Sequence, residues 1–218
     1  MIHGHQFDFI NEPCLNTHGI TLHAPSITVI ASKDLTLLER FPLKSPWVQL
    51  SGREGQYLSR VAFNEADEYF SWALRIKDVL TLIWLPEEQT IMYIKDSHYS
   101  PELLQFWIFH TFFPLVLDLN KRYHFLHVGA VETEGKTIFF SALSFGAKST
   151  LTDYFIQQGA TLVSDDALGI EEKDGQYMAI PAYPFHRPYR KPEELGHKVE
   201  KFAQEAKSIS AIFLLKKG

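Results

Sequence analysis

Over the first hundred residues, apolar and polar positions alternate in short runs, the period-2 signature of strands. Gly19 to Ala31, rich in Ile, Thr and Val, predicts a strand. Trp47 to Leu50, Tyr57 to Phe63 and Tyr69 to Ile76 predict three more. Val79 to Leu85 and Thr90 to Lys95 flank Pro86-Glu87-Glu88-Gln89 and predict a hairpin. Pro46, Gly52 and Gly55 punctuate the runs as turn residues.

The period then changes. Ser100-Pro101-Glu102 is a helix start, with Ser at the cap, Pro at the first helical position and an acid in the first turn. The pattern continues to about Asn120, with apolar residues on most of the circumference, which predicts a helix buried between layers. Pro114 predicts a kink.

From Phe125 onward, strands and helices alternate. The pattern predicts strands over Phe125 to Thr133, Lys136 to Ala142 and Ala160 to Val163. A helix is expected from Ser149 to Gln158, closed by Gly159. Leu168 to Glu171 and Tyr177 to Ile180 predict a hairpin about Asp174-Gly175, Pro192 to Lys207 a helix, and Ile209 to Leu215 a last strand. The expected architecture is therefore a β-rich region over residues 1–98 and an α/β region over 99–218. An apolar strand normally pairs inside a sheet, so the stop at Lys216-Lys217-Gly218 fits a naturally short chain or a truncated one.

Composition narrows the function. Of 218 residues, 45% are hydrophobic and 22% charged, which excludes a disordered chain. A net charge of −5 argues against a general nucleic-acid binder. The single Cys14 cannot close an intramolecular disulfide. No basic region followed by an apolar run opens the chain, so no signal peptide is expected. Leu103 to Leu117 is interrupted by Gln105, His110, Thr111 and Pro114 and is shorter than the ~20 apolar residues of a spanning helix. The expectation is a cytoplasmic protein without membrane or nucleic-acid partners.

Candidate chemistry begins at Phe139 to Leu151, where a strand enters a small-residue loop and Lys148-Ser149-Thr150 opens a helix. A phosphate-binding loop needs this order. Loop and helix N–H groups face phosphate oxygens, the Lys supplies a cation, and the next hydroxyl ligates Mg²⁺. The usual pattern is G-x-x-x-x-G-K-[ST]; here Ala142 and Ala147 replace both outer glycines, while Gly146, Lys148 and Ser149 remain. An alanine forced into left-handed geometry costs roughly 1–2 kcal/mol. Asp165-Asp166 follows a short apolar strand, which on a strand beside the loop's own would bring paired carboxylates to the phosphates.

Leu126-His127-Val128-Gly129-Ala130-Val131, the loop Ser144 to Thr150, and Gly159-Ala160-Thr161-Leu162-Val163-Ser164-Asp165-Asp166 together resemble the C-terminal domain of HPr kinase/phosphorylase and its relatives. The likeness runs from about residue 125 to 187, and Pro181 to Arg187 resembles the proline-bearing segment after the hairpin. It implies a phosphoenolpyruvate-carboxykinase-like α/β nucleotide domain, the P-loop domain of HPr kinases, behind a β-rich N-terminal region. It also implies ATP-dependent, Mg²⁺-assisted phosphoryl transfer to a hydroxyl, usually the serine of a protein or peptide. Carried over, Ser144, Gly146, Ala147, Lys148, Ser149, Thr150 and Arg187 would hold the nucleotide. Ser149 and Asp166 would serve the metal, Asp165 would be the base, and His127 would sit beside it. Phe145 stands where the family has a small residue. The rival reading is a catalytically inactive nucleotide- or peptide-binding relative; homo-oligomerisation is left open.

Other candidates carry less. His3, His5, His18 and His23 could be read as a metal cluster, but no Cys or acid has ligand spacing, and terminal histidines are expected to be solvated. His186, Arg187, Arg190 and Lys191 form a basic run, read evenly as a phosphate contact or a solvated turn. Trp72, Trp84 and Trp107 are expected in the core.

Overall fold

The computed structural model describes residues 1–16, 24–66, 69–143, 146–188 and 191–216. The chain divides into two units, one of Gln6–Asn120 and one of Met1–His5 with Lys121–Gly218. The helix expected to open the second region falls with the first unit instead.

The first unit is built on one sheet. Its strands are β1 (Gln6–Phe9), β2 (Ser26–Ala31), β3 (Leu43–Lys44), β4 (Val48–Leu50), β5 (Arg53–Ser59), β6 (Trp72–Ile76), β7 (Leu80–Leu85) and β8 (Thr90–Lys95). They lie in the order β1-β2-β8-β7-β6-β5-β3, with β4 also paired to β5. β1 and β2 join in parallel and the hairpin strands are antiparallel. The strand expected from Gly19 is described from Ser26; residues 17–23 lie outside the described residues. The strand expected at Tyr57 to Phe63 begins earlier, at Arg53.

The central strands β6, β7 and β8 are buried on both faces, which is why they read as near-continuous apolar runs. On one face, Ala73, Ile83 and Ile94 pack with Phe41, Leu58 and the half-buried Leu37 and Leu38 of a 3₁₀ turn. The other face takes α1 (Pro101–Leu119): Phe112 lies on Trp72 at 4.7 Å between ring centres, and Phe113 meets Phe7 at 4.8 Å.

Ser100 Oγ caps α1 by accepting the Leu103 N–H. Pro114 cannot donate to the His110 carbonyl, and the helix widens just before it into a π turn, Trp107–Phe112, where Phe113 N–H reaches back to Ile108. α1 is long and apolar enough to cross a membrane by length and composition, and its Leu104, Phe106, Trp107, Ile108, Phe109 and Phe112 are fully buried.

The second unit is a mixed α/β layer. Its seven-stranded sheet contains β9 (His124–His127), β10 (Gly129–Thr133), β11 (Lys136–Ser141), β12 (Thr161–Ser164), β13 (Ala167–Lys173), β14 (Gln176–Ile180) and β17 (Lys207–Leu214). The order is β12-β10-β11-β17-β14-β13-β9. A small ribbon of β15 (Phe185–His186) and β16 (His197–Lys198) stands apart. The helix α2 (Lys148–Gln157) follows β11, and Gly159, at φ +91°, turns the chain out of it.

The strand expected over Phe125 to Thr133 is broken at Val128. Its two pieces pair antiparallel with the two pieces of the β12–β13 segment: Ala130 opposes Ser164, and His127 opposes Ala167. These two pairs share one register, so Val128-Gly129 face Asp165-Asp166, and Val128 N–H donates to the Asp166 carbonyl at 2.9 Å; the β10–β12 register shifts beyond Ala130, where Val131 opposes Leu162.

No helix forms over Pro192 to Lys207. Leu195, Val199, Phe202 and Ala203 are buried at helix-like spacing, but in an irregular segment that pairs with its surroundings. Glu193 and Gly196 adopt φ +56° and +87°, which no helix accepts. Ala203 N–H donates to the Leu162 carbonyl and Leu162 N–H to that of Lys201.

Candidate functional site

β11 ends at Ser141 and the chain turns through a loop into α2. Gly146 N–H closes the turn on the Leu143 carbonyl at 2.9 Å. A Cβ at Gly146 would lie 2.6 Å from that of Ala142, so only glycine lets the loop fold this tightly. Ala147, standing where the usual pattern has glycine, takes the left-handed conformation that glycine would take, φ +65° and ψ +15°. Among the described residues no side chain caps α2.

Lys148 is buried, and its Nζ donates to the Ala142 carbonyl at 3.0 Å, folding the side chain back over the loop. Ser149 is half-buried and Thr150 exposed on the first turn of α2. Ser144, assigned to nucleotide binding on the family likeness, lies outside the described residues.

The break between β9 and β10 brings the acids to this loop. Gly129, opposite Asp165, has no room for a side chain: a Cβ there would stand 2.1 Å from Thr152 Oγ1 and 3.7 Å from the Lys148 carbonyl. Thr152 in turn donates to the Lys148 carbonyl at 3.0 Å. The first turn of α2 therefore rests on β10 at Gly129, at the level of Asp165. β12 is not the neighbour of β11, as the simplest parallel arrangement would have it; β10 lies between them.

Asp165 is buried. Its Oδ2 accepts the Arg187 N–H at 2.7 Å and lies 3.0 Å from His186 Nδ1, while Oδ1 has no hydrogen-bond partner among the described residues. Arg187, expected to offer its charge to phosphate, thus meets Asp165 through its backbone; its side chain is half-buried. Asp166 pairs with the half-exposed His127 at 2.5 Å, and its N–H donates to Ser164 Oγ at 3.3 Å.

Two further residues belong to the cluster. His186 is fully buried, which rules out the solvated turn. Its Nε2 lies 3.3 Å from Asp153 Oδ1 on α2. Both His186 contacts are at ion-pair distance without hydrogen-bond geometry. The apolar flanks Tyr183 and Phe185 were the available sign that His186 points inward; nothing in the α2 pattern marks Asp153.

The N-terminal histidines depart from expectation. His3 is fully buried, edge-on to Phe125 and Tyr183, and its N–H donates to the Pro181 and Ala182 carbonyls. Burial, and secondarily the charge of His5, lowers its pKa to about 3. Burial also lowers that of His5, whose Nδ1 lies 2.8 Å from the His3 carbonyl oxygen. His18 and His23 lie outside the described residues. Among the described residues no group of three His, Cys, Asp or Glu is arranged to hold a metal ion.

No family model and no curated sequence matches the chain. Among solved structures, it is similar to the Hpr(Ser) kinase/phosphatase from Coxiella burnetii, with a TM-score of 0.35 and 13% identity over 42% of this chain and 64% of that one. The chain thus spans less than two thirds of that protein, and so distant a superposition adds nothing to the geometry above.

Proposed function

We propose that the unit of Met1–His5 and Lys121–Gly218 transfers the γ-phosphoryl group of ATP to a hydroxyl, the serine of a protein or peptide, in the cytoplasm. The observation that carries this reading is the left-handed Ala147 and folded-back Lys148 at the start of α2, which rests on β10 beside Asp165. In this reading the loop N–H groups and the N-terminus of α2 face the phosphates, and Lys148 swings from the Ala142 carbonyl to the β- and γ-oxygens. Asp165 takes the hydroxyl proton as the acceptor oxygen bonds to the γ-phosphorus and the bond to the ADP oxygen breaks.

Ser149 and Asp166 are the residues that would hold Mg²⁺. Both offer oxygen, the donor this hard cation takes, and one or two carboxylates with substrate phosphates are an ordinary Mg²⁺ set. When bound, the ion would neutralise charge developing on the phosphates.

A second reading, a nucleotide- or peptide-binding module without catalysis, is favoured by one observation: each aspartate is already engaged, Asp165 by Arg187 and Asp166 by His127. Calorimetric ATP binding with and without Mg²⁺, followed by turnover, separates the two. Asp165→Asn is expected to lower turnover by ~10²–10⁴-fold with little change in ATP affinity. Lys148→Ala should weaken binding as well, because the cation serves the ground state too. Wild-type protein that binds ATP without transfer to any Ser peptide or to water is a binding module. Protein that binds no nucleotide refutes both readings.

A further inference from the structure

We infer that His186 is a positioning residue for Asp165, holding one carboxylate oxygen so that the other is aimed at the acceptor. The kinetic part of this inference rests on the phosphoryl-transfer reading; the geometric part does not. Asp165 Oδ2 accepts the Arg187 N–H at 2.7 Å and lies at ion-pair distance, 3.0 Å, from Nδ1 of the preceding residue, His186. Oδ1 is left buried and without a hydrogen-bond partner among the described residues. A carboxylate has two equivalent oxygens, and fixing one sets the direction of the other. A base must offer its free oxygen within hydrogen-bond reach of the proton it takes.

The other side of the imidazole supplies the anchor. Nε2 faces Asp153 on α2, the helix that opens with Lys148. One ring therefore ties the base to the helix of the phosphate loop, so that loop and base keep a common register. The ring is itself held by the β15–β16 ribbon, where His186 opposes His197 and the two rings meet edge-on at 5.5 Å. Burying a titratable ring between two carboxylates is costly where an apolar side chain could fill the space, which argues against a merely space-filling role.

The two ring nitrogens have different tasks, and this makes the inference testable with amides. The side-chain nitrogen of Asn can stand near Nδ1, and that of Gln near Nε2. His186→Asn is expected to keep kcat within about threefold of wild type, whereas His186→Gln lowers it ~10–100-fold with the KM for ATP little changed. Equal kcat in the two variants, or a change confined to KM, would overturn the inference.

A readout independent of activity is the Arg187 amide proton in ¹⁵N-resolved NMR spectra of the full chain. It should lie downfield through its charge-assisted bond to Asp165, stay there in His186→Asn and move toward an ordinary amide position in His186→Gln. An Arg187 amide unmoved in His186→Gln overturns the inference. If wild-type protein transfers no phosphate, the phosphoryl-transfer reading falls and the amide alone decides the positioning role. Should His186→Gln fail to fold, Asp153→Asn takes its place: loosening the Nε2 anchor should move the Arg187 amide in the same direction by less, and an unmoved amide again overturns the inference.

Discussion

The two units differ in what they bury. In Gln6–Asn120 the buried polar groups on side chains among the described residues include the hydroxyls of Ser59, Thr81 and Thr90, the Tyr93 phenol and the indole N–H groups of Trp72 and Trp84. A hydroxyl is easily satisfied by nearby backbone, as Thr90 Oγ1 is by the Glu88 carbonyl. Beside the hydroxyls of Thr137, Thr152 and Ser164, the other unit buries His3, Lys148, Asp165 and His186, all ionisable at the extremes of the working pH range or within it. Such groups cost free energy inside a protein unless each is paired or neutral. Three of these four gather near the loop: Lys148 opens α2, Asp165 lies between β12 and β13, and His186 lies against Asp165. The first unit is thus held by apolar and aromatic burial, and the second spends part of its stability on a polar site.

The largest expected effect tests the apolar side of that contrast. Trp72 is fully buried against Phe112, and Trp72→Ala should destabilise the first unit by about 3–5 kcal/mol in chemical denaturation. ATP affinity should not change. A loss of affinity matching the loss of stability would break the division of labour.

The next effect belongs to His3. Its pKa is lowered from 6.5 to about 3, by burial first, so the folded unit keeps the ring neutral while the unfolded chain takes up a proton. This stability is fully present above pH 6.5 and declines as the pH falls toward 3. By pH 5 the second unit should have lost about 2 kcal/mol relative to neutral pH. His3→Leu should flatten most of this slope in denaturation curves at the two pH values, with His5 leaving a remainder. An unchanged slope would assign the acid sensitivity to other groups.

The smallest effect sharpens the picture of the loop. Ala147 holds the left-handed conformation, so its strain falls on the folded protein itself. Ala147→Gly should stabilise the second unit by about 1 kcal/mol and leave ATP affinity at least as strong. A loss of similar size would instead mean that residue 147 belongs to the helix.

Local signals made much of this legible from residues alone. Ser100-Pro101 marked the start of α1, Asp174-Gly175 the β13–β14 hairpin, and Ala147-Lys148-Ser149 the entry to α2. Each depends on a cap or turn whose chemistry lies within a few residues. Tertiary effects hid the rest. Leu195, Val199, Phe202 and Ala203 have helix spacing because their irregular segment buries every third or fourth residue against its neighbours, such as Leu162. In the run from Phe125 to Thr133, Gly129 is the one residue that hints at an irregularity, and a lone strand glycine does not fix a break at Val128. The role of His186 depends on Asp153 and Asp165, which reach it only through the fold.

The place of β17 bears on how the second unit comes to be folded. It lies between β11 and β14, parallel to the former and antiparallel to the latter, though residues 207–214 are made after both neighbours. Until they emerge from the ribosome, β12-β10-β11 and β14-β13-β9 each keep one strand edge open. Met1–His5, made before the rest of its unit, waits for Pro181 and Ala182. Sheet completion thus waits for the last of these strands and closes long loops, the circumstance in which chains fold slowly and open edges invite wrong pairing. The first unit, whose strands and helix are all made by residue 120, has no such wait.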